Sequence, residues 1–160
     1  MLELNPASLG AGLGSFDVLT SWLVFLHIER KRELLSRCAD LLRPGGTLYV
    51  EDFFERAPFS PAERRALEVD VYASSLPTRE EYIAALCAAG FADIEWRDMT
   101  GTWTTFVGER AAAWEASKGR TLRVHGATLY EGMGHFFGSM SALFSGGNLG
   151  GVRITARLPG

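Results

Sequence analysis

The stretch 41–52 reads LLRPGGTLYVED and joins the end of a helix to a short apolar strand. Arg43 suits the negative end of a helix, Pro44 cannot continue the helix, and the glycines at 45–46 supply backbone angles that end it. Residues 47–50 follow as an apolar run without polar alternation, which is typical of a strand covered on both faces. The stretch therefore predicts a helix-to-strand turn followed by a buried strand.

A second apolar run and an amphipathic helix precede this turn. Residues 16–22, FDVLTSW, predict a buried parallel strand, and residues 29–42 repeat apolar side chains every three or four positions. Strand, helix and strand form a βαβ unit, whose crossover is almost always right-handed. Because the carboxyl ends of both strands then lie at one edge of the sheet, we expect residues 21–27 and 51–53 to converge where α/β folds bind ligands.

The rest of the chain alternates helices and strands. Capping-box patterns begin two of the helices, one with Ser60 and Glu63 and the other with Thr78 and Glu81. Glycines between 132 and 138 weaken the last helix. The predicted elements are helices over 61–71, 79–89, 103–117 and 121–144, a strand over 91–98, and a half-exposed, alternating strand over 152–158.

The composition is that of an ordinary soluble globular protein. With 160 residues the chain is one domain or part of one, and a net charge of -3 gives no basic footprint for nucleic acid. No apolar run reaches the roughly 20 residues of a membrane span, so we expect a cytoplasmic protein without membrane contact. Cys38 and Cys87 fall in apolar helical patterns and are interpreted as buried structural thiols. We expect no metal site, since no acids and histidines cluster.

Three of these stretches resemble the fourth and fifth strands of class I S-adenosylmethionine-dependent methyltransferases: FDVLTS at 16–21, FLH at 25–27 and LLRPGGTLYVED at 41–52. The resemblance implies an α/β chain with a partial Rossmann-like class I methyltransferase fold, holding strands four to seven with their helices and lacking the N-terminal strands. It divides the chain into an irregular leader over 1–15 and the C-terminal half of a methyltransferase domain over 16–160.

A finer resemblance points to enzymes that methylate small amines. The FLH segment, LPTREEY at 76–82 and GNLGGVRI at 147–154 are similar to sarcosine/dimethylglycine and phosphoethanolamine methyltransferases. Two departures affect the acceptor. The segment 68–75, EVDVYASS, offers little to pair with a phosphate, and Trp22 and Leu23 stand where the family commonly has a polar pair.

The resemblance also implies catalytic residues. His27 follows the fourth strand, where the family places a residue beside the transferred methyl group, and a neutral imidazole could take the proton of an amine. A histidine bonded to backbone at a helix start is the alternative interpretation. Asp52, with Glu51 as an alternative, could offer a carboxylate to a cationic amine, although acids at this position also cap helices. His125 and His135 are interpreted as surface or packing residues.

The remaining candidate residues concern the cofactor and the substrate. The implied cofactor is S-adenosylmethionine, with Ser21 as a binding residue at the end of the fourth strand. Trp22, Phe53 and Tyr72 could wall a small amine by cation–π contacts, while aromatic side chains beside a strand end also serve as core.

Class I methyltransferases hold the cofactor with a glycine loop and two acid-terminated strands that precede the fourth strand, and nothing in this sequence supplies them. GAGLG at 10–14 imitates the loop, but no apolar strand precedes it, so a flexible leader is expected. We therefore expect this chain alone to bind the cofactor weakly, and the open edge of the fourth strand to favour self-association or a partner chain.

Whether the chain is itself an enzyme stays open at this point. One interpretation is an S-adenosylmethionine-dependent N-methyltransferase acting on a small amine, incomplete as given. The alternative is a non-catalytic interaction or regulatory module that binds a complete methyltransferase through its open sheet edge. Half of a nicotinamide-dependent reductase is a third interpretation, which the RPGG turn at 43–46 favours less.

Overall fold

The computed structural model describes residue 14 and residues 16–73 and 75–160 of the chain. The expected leader over 1–15, with its glycine-rich GAGLG run, therefore lies outside the described residues apart from Gly14. In chain order the elements are β1 (Phe16–Trp22), a 3-10 turn (Phe25–His27), α1 (Lys31–Leu41), β2 (Leu42–Glu55), α2 (Pro61–Ala66), a π-helical turn (Leu67–Val71), α3 (Arg79–Ala88), β3 (Ala92–Asp98), α4 (Thr100–Ala116), α5 (Lys118–Gly146) and β4 (Leu149–Arg157).

The four strands form one mixed sheet in the order β1, β2, β4, β3. β1 runs parallel to β2, with Trp22 opposite Glu51, and α1 connects the two strands, which confirms the predicted βαβ unit. β4 is antiparallel to both of its neighbours. After β1 the chain stays beside the end of β2, because the backbone N–H of Leu23 donates to the carbonyl of Glu51 at 2.8 Å.

The prediction that β1 is buried on both faces is wrong. Phe16, Val18 and Trp22 are exposed, and Ser21 is the one buried residue of the strand. The reason is the position of β1 at the end of the sheet, where no described strand pairs with its outer edge. A strand at the end of a sheet has neighbouring side chains on one flank only, so its apolar residues stay accessible to solvent.

β4 lies inside the sheet, between β2 and β3. The predicted alternation is confirmed in its second half, where Val152 and Ile154 are buried and Arg153 is partly exposed. Its first half is buried instead. Aromatic rings lie directly on the backbone there, and a Cβ atom would collide with Phe54 at position 150 and with Trp103 at position 151. Only glycine permits such close packing.

The two faces of the sheet carry separate cores. Alternate residues of β2, such as Leu48, Val50 and Phe54, pack with Leu35 of α1 and with α3 on one face. On the other face Phe53 packs with α4, α5 and the π-helical turn in a second cluster. Because side chains alternate between the two faces of a strand, even-numbered and odd-numbered residues of β2 join different cores.

The helices match their predictions to within three residues at each end, with two differences inside them. The helix expected over 61–71 is α2 followed by the π-helical turn, and the chain leaves that turn through Tyr72 in a left-handed conformation, with φ of 58°. α5 breaks at Gly126 and not at the glycines between 132 and 138.

Cys38 is buried as predicted, whereas Cys87 is exposed, because it faces away from the core that α3 covers. None of the described helices is both long and apolar enough to cross a membrane.

Candidate functional site

A cavity of about 730 Å³ opens where β1 and β2 end, between the sheet and the helices α4 and α5. The 3-10 turn after β1 contributes Leu26 and His27, and β2 contributes Glu51 and Phe53. This convergence of the two strand ends confirms the geometry that the βαβ unit predicts. Apolar side chains from the π-helical turn, α4 and α5 form most of the remaining wall, among them Val71, Trp103, Phe136 and Met140.

His27 lines this cavity and is exposed to it. Its Nδ1 atom lies 3.0 Å from the carbonyl oxygen of Tyr72. Because a carbonyl oxygen only accepts hydrogen bonds, Nδ1 carries the proton in this contact, and Nε2 is left as the basic atom of a neutral imidazole. The histidine is thus bonded to backbone, as one interpretation of the sequence held, but to the segment after the π-helical turn and not to a helix start.

Glu51, the alternative carboxylate, also lines the cavity. Its Oε1 atom accepts hydrogen bonds from the Tyr49 hydroxyl at 2.7 Å and from Arg153, with Nε at 2.9 Å and Nη2 at 2.7 Å. The hydrogen bond to Glu51 raises the pKa of Arg153, and burial followed by the same carboxylate raises the pKa of Tyr49. Arg153 therefore balances the charge of Glu51 in a fixed position at the cavity wall.

Asp52 does not share this rim with His27. Successive strand residues point to opposite faces, so Glu51 and Phe53 face the cavity while Asp52 joins the core beneath α1 and α3. There it is fully buried and accepts a hydrogen bond from the Tyr82 hydroxyl at 3.1 Å. Burial raises its pKa to about 6, against the opposing effect of the Lys31 ammonium.

Asp52 and Lys31 hold the turn that carries His27. The buried ammonium of Lys31 donates to the carbonyl oxygens of Phe25 and of Ile28, the latter at 2.9 Å. Asp52 lowers the cost of that buried charge, and the backbone N–H of Leu26 in the same turn stabilises the carboxylate. The pair therefore stabilises the 3-10 turn from the face of the sheet opposite the cavity.

Three further predicted residues differ in their position relative to the cavity. Trp22 is 59% exposed and packs against Tyr49, with ring centroids 6.0 Å apart, and it does not line the cavity. Ser21 is buried on the face of Val50, and its Oγ atom has no hydrogen-bond partner among the described residues. Tyr72 lines the mouth of the cavity and is 76% exposed.

A polar cluster that sequence reasoning missed ties the π-helical turn to α5. Asp70 lines the cavity and accepts hydrogen bonds from Ser139 Oγ at 2.6 Å and from His135 Nε2 at 3.0 Å. The hydrogen bond from Ser139 is the main cause that lowers the pKa of Asp70. The spacing of His135 and Ser139, four residues apart in a helix, places them on one face and was the available signal.

Three comparisons with known proteins bear on this arrangement. A family model described as a methyltransferase domain matches residues 2–50. The fold superposes on that of a phosphoethanolamine N-methyltransferase 2 of Haemonchus contortus, solved with phosphomonomethylethanolamine and S-adenosylhomocysteine, with a TM-score of 0.84 and 23% identity over 92% of this chain and 35% of that one. The chain carries part of the class I methyltransferase fold. The predicted fold class is thereby confirmed.

Two further proteins are similar to this chain, one in sequence and one in fold. A phosphoethanolamine N-methyltransferase of Triticum aestivum is 30% identical over 117 residues, which are 73% of this chain and 23% of that protein. A cyclopropane synthase of Mycobacterium tuberculosis has a TM-score of 0.76 at 16% identity, over 88% of this chain and 55% of the other. The chain thus spans about a quarter of the length of the wheat relative, and it resembles small-amine N-methyltransferases.

Proposed function

We propose that this chain forms the acceptor side of an S-adenosylmethionine-dependent N-methyltransferase that acts on a small amine. The observation that carries the proposal is His27, which lines a mostly apolar cavity at the carboxyl ends of two parallel strands, with Nδ1 held by the Tyr72 carbonyl. The fold and the relatives named above supply the reaction class.

His27 serves as the base in this proposal. An amine attacks a methyl group only as the free base, so its extra proton must leave before or during transfer. Nε2 of His27 accepts that proton, and the imidazolium that forms is stabilised because Nδ1–H already donates to the Tyr72 carbonyl.

Phe53 and Tyr72 position the amine. Phe53 belongs to an aromatic cluster with Trp103 and Phe144, packed edge to face at centroid distances of 5.8 Å and 5.4 Å. Such rings can hold a cationic nitrogen by cation–π contact. Asp52 acts indirectly, because it supports the turn that carries His27. Glu51 is the carboxylate that faces the amine in the cavity.

The described residues fit the cofactor in part. Ser21 Oγ is a buried polar atom at the carboxyl end of β1 with no described hydrogen-bond partner, and it lies on the face of Val50, behind the cavity wall. No glycine loop between a strand and a helix lies among the described residues. When bound, S-adenosylmethionine supplies the electrophilic methyl group. We expect the 160-residue chain alone to bind it weakly, and micromolar binding in titration calorimetry would contradict that expectation.

Radiolabelled methyl transfer to a panel of small amines tests the function. The assay uses the chain alone and the chain with any partner that it captures in a pull-down identified by mass spectrometry. His27→Gln should lower transfer about a hundredfold or more, as loss of a general base does. The matched control is His125→Gln, which lies outside the cavity and should leave transfer unchanged. Transfer to none of the amines in either condition contradicts the proposal.

A non-catalytic module is the second candidate, and the open edge of β1 favours it. Phe16 is 41% and Val18 55% exposed on a strand that no described neighbour pairs on its outer side. A partner strand could add to such an edge. If the chain captures a complete methyltransferase but adds no methyl transfer that depends on His27, the non-catalytic module is favoured over the enzyme.

A further inference from the structure

The charges around the cavity limit what the acceptor can carry. Among the described residues, four side chains that can carry a charge near neutral pH line it: His27, Glu51, Asp70 and Arg110. Two of the four are acids, each held in place by hydrogen bonds described above. Arg110 is the one arginine or lysine among the described lining residues, and its guanidinium carbon lies 5.8 Å from the ring centroid of Phe106.

An anionic acceptor finds little to pair with in this lining. A phosphate or carboxylate that leaves water needs charge-assisted hydrogen bonds, best from two or more cationic groups. Arg153 is already engaged by Glu51, so Arg110 is the one cation of the described lining left to meet an anion, and an anion close to Asp70 would meet like charge. An amine without an anionic group avoids this penalty.

The walls favour a bulky apolar substituent. Aromatic rings and methionines line the cavity on the α4 and α5 side, including Phe106, Met133, Phe137 and Met140. Methionine side chains adapt to irregular apolar ligands, and aromatic rings bury large areas. A cavity of about 730 Å³ lies in the range that holds drug-sized ligands, well above the size of a two-carbon amine.

We propose that the acceptor of this site is an amine that bears an alkyl or aryl group and no phosphate or carboxylate. The inference rests on the proposed function, since it names the substrate class of the same cavity. The amine nitrogen lies toward His27 and Glu51, and the apolar group extends between α4 and α5 toward Phe106 and Met133.

A homologous series of n-alkylamines, from butylamine to octylamine, tests the inference by titration calorimetry on the 160-residue chain. Each buried CH₂ group should tighten binding about fourfold until the cavity is filled. Phosphoethanolamine and sarcosine are measured beside them and should bind more weakly than hexylamine. Tighter binding of either anionic amine, or affinity that does not change with alkyl length, overturns the inference.

Two variants separate the cavity from the rest of the surface. Phe106→Ser removes an aromatic wall that is 57% exposed, so the fold should tolerate it, and it should flatten the dependence of affinity on alkyl length. Leu129→Ser is the matched control, because Leu129 is 45% exposed and does not line the cavity. Equal effects of both variants would mean non-specific adsorption and would overturn the inference.

The outcome is distinguishable from failure of the proposed function. Alkylamines that bind in this pattern but are never methylated, with or without a captured partner, support the binding inference and contradict the methyltransferase proposal. Methyl transfer to phosphoethanolamine and to none of the alkylamines would support the methyltransferase proposal and contradict the binding inference.

Discussion

Neighbouring residues of β2 have different surroundings although they are chemically alike. Glu51 faces the cavity and is neutralised by Arg153, while Asp52 is fully buried on the opposite face beside Tyr82 and Lys31. The buried carboxyl acts on the site indirectly, since it supports the ammonium that holds the turn before His27. A single step along the strand thus separates a ligand-facing acid from a positioning acid.

Asp52→Asn should remove a pH dependence of stability. Burial raises the pKa of Asp52 from 3.8 to about 6, so the folded state binds more protons than the unfolded state between these pH values. The free energy of unfolding therefore decreases as pH rises from about 4 to 6, by roughly 3 kcal/mol for this group at about 1.4 kcal/mol per pKa unit.

Urea unfolding across that pH range measures the effect. Asp52→Asn should lack this decrease, since the amide does not ionise and can still accept from the Tyr82 hydroxyl. Asp40→Asn, a change at an exposed carboxyl on α1, should keep the wild-type pH profile. A profile of Asp52→Asn parallel to that of the wild type would show that Asp52 keeps its ordinary pKa in the folded protein.

At the scale of elements, α5 breaks before the part that covers the cavity. Gly126 adopts φ of 81° and ψ of 172° inside the helical run, and the part after it carries the side chains that face α4 and the sheet. Glycine is the residue that takes this conformation without steric cost. The break therefore depends on the backbone of one residue.

Gly126→Ala should destabilise the fold by about 1 kcal/mol or more, because an L-residue is strained at that φ even though its Cβ would meet no neighbour within 4 Å. The comparison is Gly138→Ala, where the backbone is helical and a Cβ also meets nothing within 4 Å. That change should stabilise the fold by about 0.5 to 1 kcal/mol. Thermal unfolding of both variants checks the pair, and a stabilising Gly126→Ala would mean that α5 is straight in solution.

At the scale of the whole molecule, the sheet of the described residues ends in β1, an apolar strand whose outer edge no described strand pairs. Phe16, Val18 and Trp22 are all exposed on β1, and the class I methyltransferase fold of the relatives is longer than the described chain. An exposed edge strand of this kind is a template for pairing with another chain. We therefore expect a second copy to occupy it when no other partner is present.

Val18→Lys should weaken self-association about tenfold or more, because a charge on an edge strand opposes strand addition. Sedimentation velocity over a concentration series measures the dissociation constant. Val124→Lys, a change at a residue that is 66% exposed on α5, should leave that constant unchanged. A wild-type chain that stays monomeric throughout the series, or equal effects of both variants, would contradict pairing through β1.

Sequence determined what depends on a few neighbouring residues. The capping boxes at Ser60 and Thr78 and the βαβ unit follow from side-chain hydrogen bonds and from periodicity along short stretches of chain, whereas residues 43–46, predicted as a turn, lie within β2. His27 and Phe53 could be placed in the cavity for the same reason, since parallel strands end at one edge of a sheet.

Tertiary structure alone decided which acid faces the cavity, and what closes it. The choice between Glu51 and Asp52 depends on which face of β2 meets α4 and α5, and residue types cannot report that. The contact of Asp70 with Ser139 joins residues 69 positions apart. Such contacts follow from the packing of complete elements, because pairings between distant segments leave no local pattern in a single sequence.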